Sequence, residues 1–108
     1  MARGLARGEI WLCAFRPPDK RRPVLIIGRQ ALLDVLQTVT VIPITTTIRG
    51  AATEVLLGVE DGLKAPSCAN LVNVVTISKA TLSRYVGTVR REKLGEVCKA
   101  LAVAVGCD

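Results

Sequence analysis

Two apolar runs each carry one polar side chain fit for phosphate chemistry. Arg22 stands immediately before Pro23-Val24-Leu25-Ile26-Ile27, and Thr45 follows Val41-Ile42-Pro43-Ile44 and opens Thr45-Thr46-Thr47. Each run reads as a buried strand, so together they deliver a guanidinium and a hydroxyl to one edge of a core. The chain has no histidine, the residue most enzymes use as acid, base or metal ligand. Arginine offers a planar, permanently charged fork that pairs with two phosphate oxygens. A threonine hydroxyl both donates and accepts. The substrate class that suits this pair is the phosphodiester. Taken alone, Arg22 reads more readily as a solvated loop charge and Thr45 as an ordinary β-branched strand residue.

The elements that must position them follow from local pattern. Residues 10–15 alternate mildly and stop at Pro17-Pro18, as a strand and a turn do. Residues 23–27 are short and continuously apolar, as expected of a strand covered on both faces. Residues 30–36 are assigned to a loop. Residues 38–47 form the longest strand candidate, with Val39, Val41 and Thr45 on one face and Thr40, Ile42 and Ile44 on the other. Pro43 within it implies a bulge or an unpaired position. Residues 48–52 read as a turn, 53–57 as a fourth strand, 58–66 as a loop, 68–77 as a fifth strand and 84–89 as a sixth. Between the last two, residues 78–82 suggest a helical turn capped by Ser78.

Leu94, Val97, Cys98, Leu101 and Val105 fall on one helical stripe, with Thr88 a possible cap and Gly106 a left-handed stop. Gly95 within that helix costs about 1 kcal/mol relative to alanine. Short strands with one closing helix indicate a mostly β (α+β) fold, a small antiparallel β-barrel with a C-terminal α-helix.

Composition bounds the rest. The 108 residues suffice for one domain, with an aliphatic core, since Trp11, Phe15 and Tyr85 are the only aromatics. Fifteen basic residues against nine acidic ones give a formal charge of +6. That balance suits an anionic partner, nucleic acid being the commonest, and serves solubility as well. Arg16, Lys20, Arg21, Arg22 and Arg29 crowd one segment. No window reads as a membrane span, and the first eight residues lack the apolar centre of a signal peptide. Cys13, Cys68 and Cys98 read as buried small hydrophobes and Cys107 as exposed; none has C-x-x-C spacing. No metal or cofactor is expected, and the cysteine usage points to the cytoplasm.

In order, Arg7-Gly8-Glu9-Ile10-Trp11, Arg22-Pro23-Val24-Leu25-Ile26-Ile27, Val41-Ile42-Pro43-Ile44-Thr45, Thr76-Ile77-Ser78-Lys79 with Leu82, and the closing helix resemble the MazF/PemK family of toxin endoribonucleases (mRNA interferases). The resemblance spans about residues 7–105 of a single domain. It implies an SH3-like barrel, a homodimer, and metal-independent cleavage of single-stranded RNA by 2′-OH transesterification to 2′,3′-cyclic phosphate and 5′-OH ends. It also implies a cognate antitoxin whose acidic, disordered tail covers the RNA groove. Carried over by position, Arg22 and Thr45 are catalytic. Lys20, Arg21, Thr46, Thr47, Arg49 and Asn73 are RNA-binding candidates, and Glu9 is a candidate general base if it faces the groove.

The chain departs from the family pattern in two stretches. The segment Arg16–Arg21 is short and lacks the customary glycine. Asn73-Val74-Val75-Thr76 stands where Gln-x-Arg-Thr is common, so Asn73 has a shorter reach and Val75 no charge. Two other functions compete: a basic barrel that holds nucleic acid without cutting it, and a gyrase-poisoning toxin of the related CcdB type.

Overall fold

A computed structural model describes residues 4–14 and 21–108. Among the described residues, seven strands and two α-helices run in the order β1 (Glu9–Cys13), β2 (Arg22–Ile26), α1 (Gln30–Leu33), β3 (Thr38–Thr45), β4 (Glu54–Leu57), β5 (Ser67–Asn70), β6 (Val75–Ser78), β7 (Leu82–Thr88) and α2 (Arg91–Val105). Every strand pairing is antiparallel, with the sheet ordered β4-β5-β3-β2-β1-β7 and β6 also pairing with β3. The expected mostly β architecture with a closing helix is therefore present. The sheet curls like a barrel but stays open, ending at β4 and β7.

The sheet is apolar on both faces. Leu25, Ile42 and Ile44 pack with Ile10, Val55, Leu71, Val97 and Ala100 in one cluster beneath α2. Val24, Ile26, Val39 and Val41 pack on the other face with Trp11, Cys13 and Leu33. Alternate residues of β2 and β3 thus enter opposite cores, which is why both strands read as unbroken apolar runs. Each fully buried Leu, Ile or Val contributes about 1.5–3 kcal/mol relative to exposure.

Pro43 occupies a gap in pairing rather than a bulge. Its register with β2 runs without a shift from Val24↔Pro43 to Ile26↔Val41. On the other edge β3 pairs with β6 only up to Val41 and with β5 only from Ile44, so residues 42 and 43 have no strand partner there. A residue without an N–H suits such a gap.

The single fifth strand expected over 68–77 is two strands separated by a 3₁₀ turn, Leu71–Asn73. Asn70 starts the turn: its Oδ1 accepts from the Val72 N–H at 3.2 Å and from the Thr53 hydroxyl at 2.8 Å. Leu71 is driven wholly into the core.

Residues 30–33, expected as loop, form the short helix α1. Buried Leu33 anchors it, and Gln30 accepts from the Arg7 N–H at 2.8 Å and donates to Leu5 O at 2.9 Å. The turn after Ser78 is present, with Ser78 Oγ accepting from the Ala80 N–H. Thr88 does not cap α2. It ends β7, its hydroxyl 2.6 Å from Tyr85 Oη, and Arg90 caps the helix without a side-chain bond. Gly106 stops α2 at φ 77°. Cys13 and Cys68 are buried and Cys107 is exposed as expected; Cys98 is exposed instead of buried, at the rim of the α2 stripe.

Candidate phosphodiester site

The β2–β3 pairing ends at Val24↔Pro43, and Arg22 and Thr45 each stand two residues past that last pair, on the same end of the two strands. Both side chains line the same two adjoining hollows. One, of about 480 Å³, is walled by Arg22, Thr45, Thr47, Arg49, Glu54, Asn70 and Asn73 over a floor of Pro43 and Ile44. The other, of about 290 Å³, is bounded by Arg22, Pro23, Thr45, Thr46 and Ser67. Arg22 sits exposed at the first position of β2, with its backbone paired to Cys13. Thr45 Oγ1 accepts the Thr47 N–H at 3.1 Å, which leaves its own O–H to donate into the hollow.

Glu54, to which the sequence assigned no role, organises the rim. Its carboxylate accepts the N–H groups of Arg49 (3.1 Å), Gly50 (2.8 Å) and Ala51 (3.1 Å), closing a turn in which Gly50 adopts φ 75°. Partial burial pushes the Glu54 carboxyl up, but those three N–H bonds and the Cys68 thiol outweigh it and hold the carboxyl below its ordinary value. The Cys68 thiol, also 3.4 Å from Thr47 O, is pushed up by burial and then by the neighbouring Glu54 charge. It is therefore a protonated clamp rather than a nucleophile. Asn70 is likewise part of the wall. Its carbonyl oxygen is engaged by Val72 and Thr53, so its amide N–H groups remain to donate.

Of the RNA-binding candidates, Thr47, Arg49 and Asn73 join Arg22 and Thr45 in the larger hollow, and Thr46 in the smaller. Arg21 is exposed beside Arg22 but lines neither hollow. Lys20 lies outside the described residues. Glu9 is not a base in this groove: it is buried, with Oε1 accepting from Trp11 Nε1 and from the Ala6 N–H, both at 3.0 Å. A buried indole N–H requires an acceptor, and Glu9, two residues away on the same strand face, supplies it. Among the described residues no three Cys, Asp or Glu side chains gather as a metal site would need.

The geometry is that of an anion site: two guanidinium-bearing residues, hydroxyls and amides around a hollow open to solvent. The profile of the PemK-like, MazF-like toxins of type II toxin–antitoxin systems matches residues 6–105. The chain is 40% identical over 104 residues to the probable endoribonuclease MazF5 of Mycobacterium tuberculosis, covering 95% of this chain and 94% of that protein. Among solved structures it is similar to the Mycobacterium tuberculosis toxin MazF-mt6, with a TM-score of 0.85, 37% identity, and coverage of 93% and 98% of the two chains. It is also similar to an endoribonuclease in complex with its cognate antitoxin from a mycobacterial species, at TM-score 0.82 and 29% identity over 94% and 95% of the two chains. This chain belongs to the PemK-like, MazF-like toxin family.

Proposed function

We infer that this protein is the toxin of a toxin–antitoxin pair, an endoribonuclease that cuts single-stranded RNA. The observation carrying this reading is the convergence of Arg22 and Thr45 on two adjoining hollows. In the reaction the 2′-oxygen forms a bond to the adjacent phosphorus as the bond from phosphorus to the 5′-oxygen breaks. The 2′-OH proton passes to a solvent water and the 5′-oxygen takes one back from solvent, giving a 2′,3′-cyclic phosphate and a 5′-OH. Arg22 stabilises the pentacoordinate dianion, because its fork pairs with two phosphate oxygens where charge builds up. Thr45 donates its hydroxyl proton in a hydrogen bond to the departing 5′-oxygen. Arg49 and the Asn70 and Asn73 amides hold neighbouring phosphates and base edges. Glu54 acts on the turn, since a carboxyl held ionised with its oxygens filled by N–H groups is a weak proton acceptor. A requirement for the attacking 2′-OH spares DNA.

The named relatives support an antitoxin partner, and an acidic segment complements the Arg22 and Arg49 hollow. A homodimer and a cytoplasmic location complete the reading; no helix among the described residues is long and apolar enough to cross a membrane. Purified protein is expected to cut single-stranded RNA in EDTA and to leave 5′-OH ends. RNA bound with a steep salt dependence but left intact would favour a non-catalytic binding barrel. Gyrase capture with intact RNA would favour the CcdB-type alternative.

A further inference from the structure

A second group of cations stands away from the Arg22–Thr45 site. A hollow of about 560 Å³ is lined by Arg7, Ile27, Arg29, Gln30 and Ala31. It lies at the other end of β2. Arg22 opens that strand and Ile27 follows its last residue, so at about 3.3 Å per residue the two stand roughly 16 Å apart. The hollow shares no lining residue with the two that hold Arg22 and Thr45. No acidic side chain among the described residues lines it. Asp34, the acid at the end of α1, is engaged by the Gln30 amide at 3.1 Å.

Arg7 is held in place before any ligand arrives. Its Nε donates to Ile27 O at 3.2 Å and its Nη2 to Cys98 Sγ of α2 at 3.3 Å. Its backbone N–H donates to Gln30 Oε1 at 2.8 Å, and the Gln30 amide donates in turn to Leu5 O at 2.9 Å. The segment before β1, the start of α1 and the middle of α2 are thus tied at one arginine. A guanidinium has five N–H donors, and these side-chain contacts take two of them. Arg29 comes from a different element. It stands exposed at the N-cap of α1 and makes no side-chain cap bond. One fork fixed in advance lowers the entropic cost of binding, and the second is free to close on what arrives.

Two forks from two segments suit a tetrahedral oxyanion. A carboxylate has two oxygens and is satisfied by one bidentate guanidinium, whereas a phosphate group offers three acceptor oxygens and engages both. Ligand pockets usually measure about 300–1,000 Å³, so this volume admits a phosphate together with the group that bears it.

We propose that the Arg7–Arg29 hollow is a second phosphate-binding site, separate from the catalytic hollows and independent of the cleavage reaction. The phosphate belongs either to a free phosphate compound or to the backbone of a nucleic acid strand, which present the same group.

Nitrogen–proton correlation spectra of the arginine Nε–H groups, recorded on the whole protein at fixed ionic strength, follow both regions in one titration. Inorganic phosphate is the first probe. The Arg7 and Arg29 signals should move together and saturate on one binding curve, beyond any drift seen with sodium chloride. Arg29→Glu should weaken phosphate at the Arg7 signal at least tenfold, the scale of one hydrogen bond to a charged group. Arg7→Lys keeps the charge but not the fork and should weaken phosphate at the Arg29 signal by a similar factor. Its Tm is measured alongside, and if that collapses the Arg29 variant alone decides. A short single-stranded DNA without terminal phosphates then separates the two sources. Movement of the same two signals with that strand assigns the site to backbone phosphate, and movement with inorganic phosphate alone assigns it to a free phosphate compound.

Arg7 and Arg29 signals that move no further with phosphate than with chloride would overturn the site, as would an Arg29→Glu titration superimposable on the wild type. An equal response to acetate would reassign the hollow to carboxylates, and so to an acidic protein segment, which also overturns the proposal. The ribonuclease reading stands or falls separately, because Arg22 and Arg49 report the catalytic hollow in the same spectra.

Discussion

Replacing Arg22 with alanine tests the chemistry with little interference from folding. The side chain is exposed, its backbone pairing to Cys13 is unaffected by truncation, and the β2 residues that enter the cores are Val24, Leu25 and Ile26. Surface substitutions away from special features usually change stability by no more than about 0.5 kcal/mol, so Tm should stay within a few degrees of the wild type. The barrier is another matter. Removing one preorganised donor from a developing oxyanion costs about 3–4 kcal/mol, or roughly a hundred- to a thousandfold in kcat. Single-turnover cleavage of a single-stranded RNA in EDTA measures this, with differential scanning calorimetry on the same preparation. Arg22→Lys should fall between the two, because an ammonium keeps the charge but not the fork. Wild-type cleavage by Arg22→Ala would refute the assignment of charge stabilisation to Arg22; a matching collapse of Tm would mean that the residue is structural.

Thr45→Val keeps the β-branched shape but removes the hydroxyl, so cleavage should fall at least tenfold while affinity for a 2′-deoxy oligonucleotide changes little; an unchanged rate would exclude Thr45 from the leaving-group role. Glu54 ionises more readily in the fold than in the unfolded chain, so its stabilisation is complete above its ordinary value of 4.5 and is lost as pH falls through the lower folded value. Amide protection at Arg49, Gly50 and Ala51 should therefore drop on acidification, and Glu54→Gln should flatten that dependence; equal pH profiles would exclude the clamp. Gly87→Ala drives a Cβ into the Asp61 carbonyl and should cost about 1–3 kcal/mol, seen as a fall in Tm of several degrees.

The sequence carried the strands of the core and the two polar positions at their ends, because both depend on short-range pattern. Arg22 and Thr45 were visible as polar caps on apolar runs, and the pairing of those runs brings both to the same hollows. The break at Leu71–Asn73 was hidden because Leu71-Val72 within it and Val74-Val75-Thr76-Ile77 after it are apolar or β-branched. What ends β5 is the Asn70 side chain answering to Thr53, a residue distant in sequence. Glu9, a base candidate only if it faced the groove, instead serves the buried indole, and the local sign of that role is its position two residues before Trp11 on one strand face. Glu54 was missed although its signal was local: a glycine turn at Arg49-Gly50-Ala51 followed within five residues by an acid fits a carboxylate capping consecutive N–H groups. Cys98 lies on the expected helical stripe yet at its edge, where periodicity does not separate buried from exposed.

A carboxylate in the wall of an anion site looks self-defeating, and the Glu54 turn explains why it is not. Three N–H dipoles converge on that charge from residues 49–51. Fixed dipoles aimed at a charge offset its field at close range, as backbone nests do for bound anions. The guanidinium groups of Arg22 and Arg49 therefore dominate the potential across the hollow. The same bonds hold the segment from Thr47 to Ala51 beside the site, so one acidic residue both shapes the rim and withholds its charge from the phosphate. Neutralising Glu54 strengthens the positive field, yet it also weakens the bonds that hold the turn at Arg49, Gly50 and Ala51.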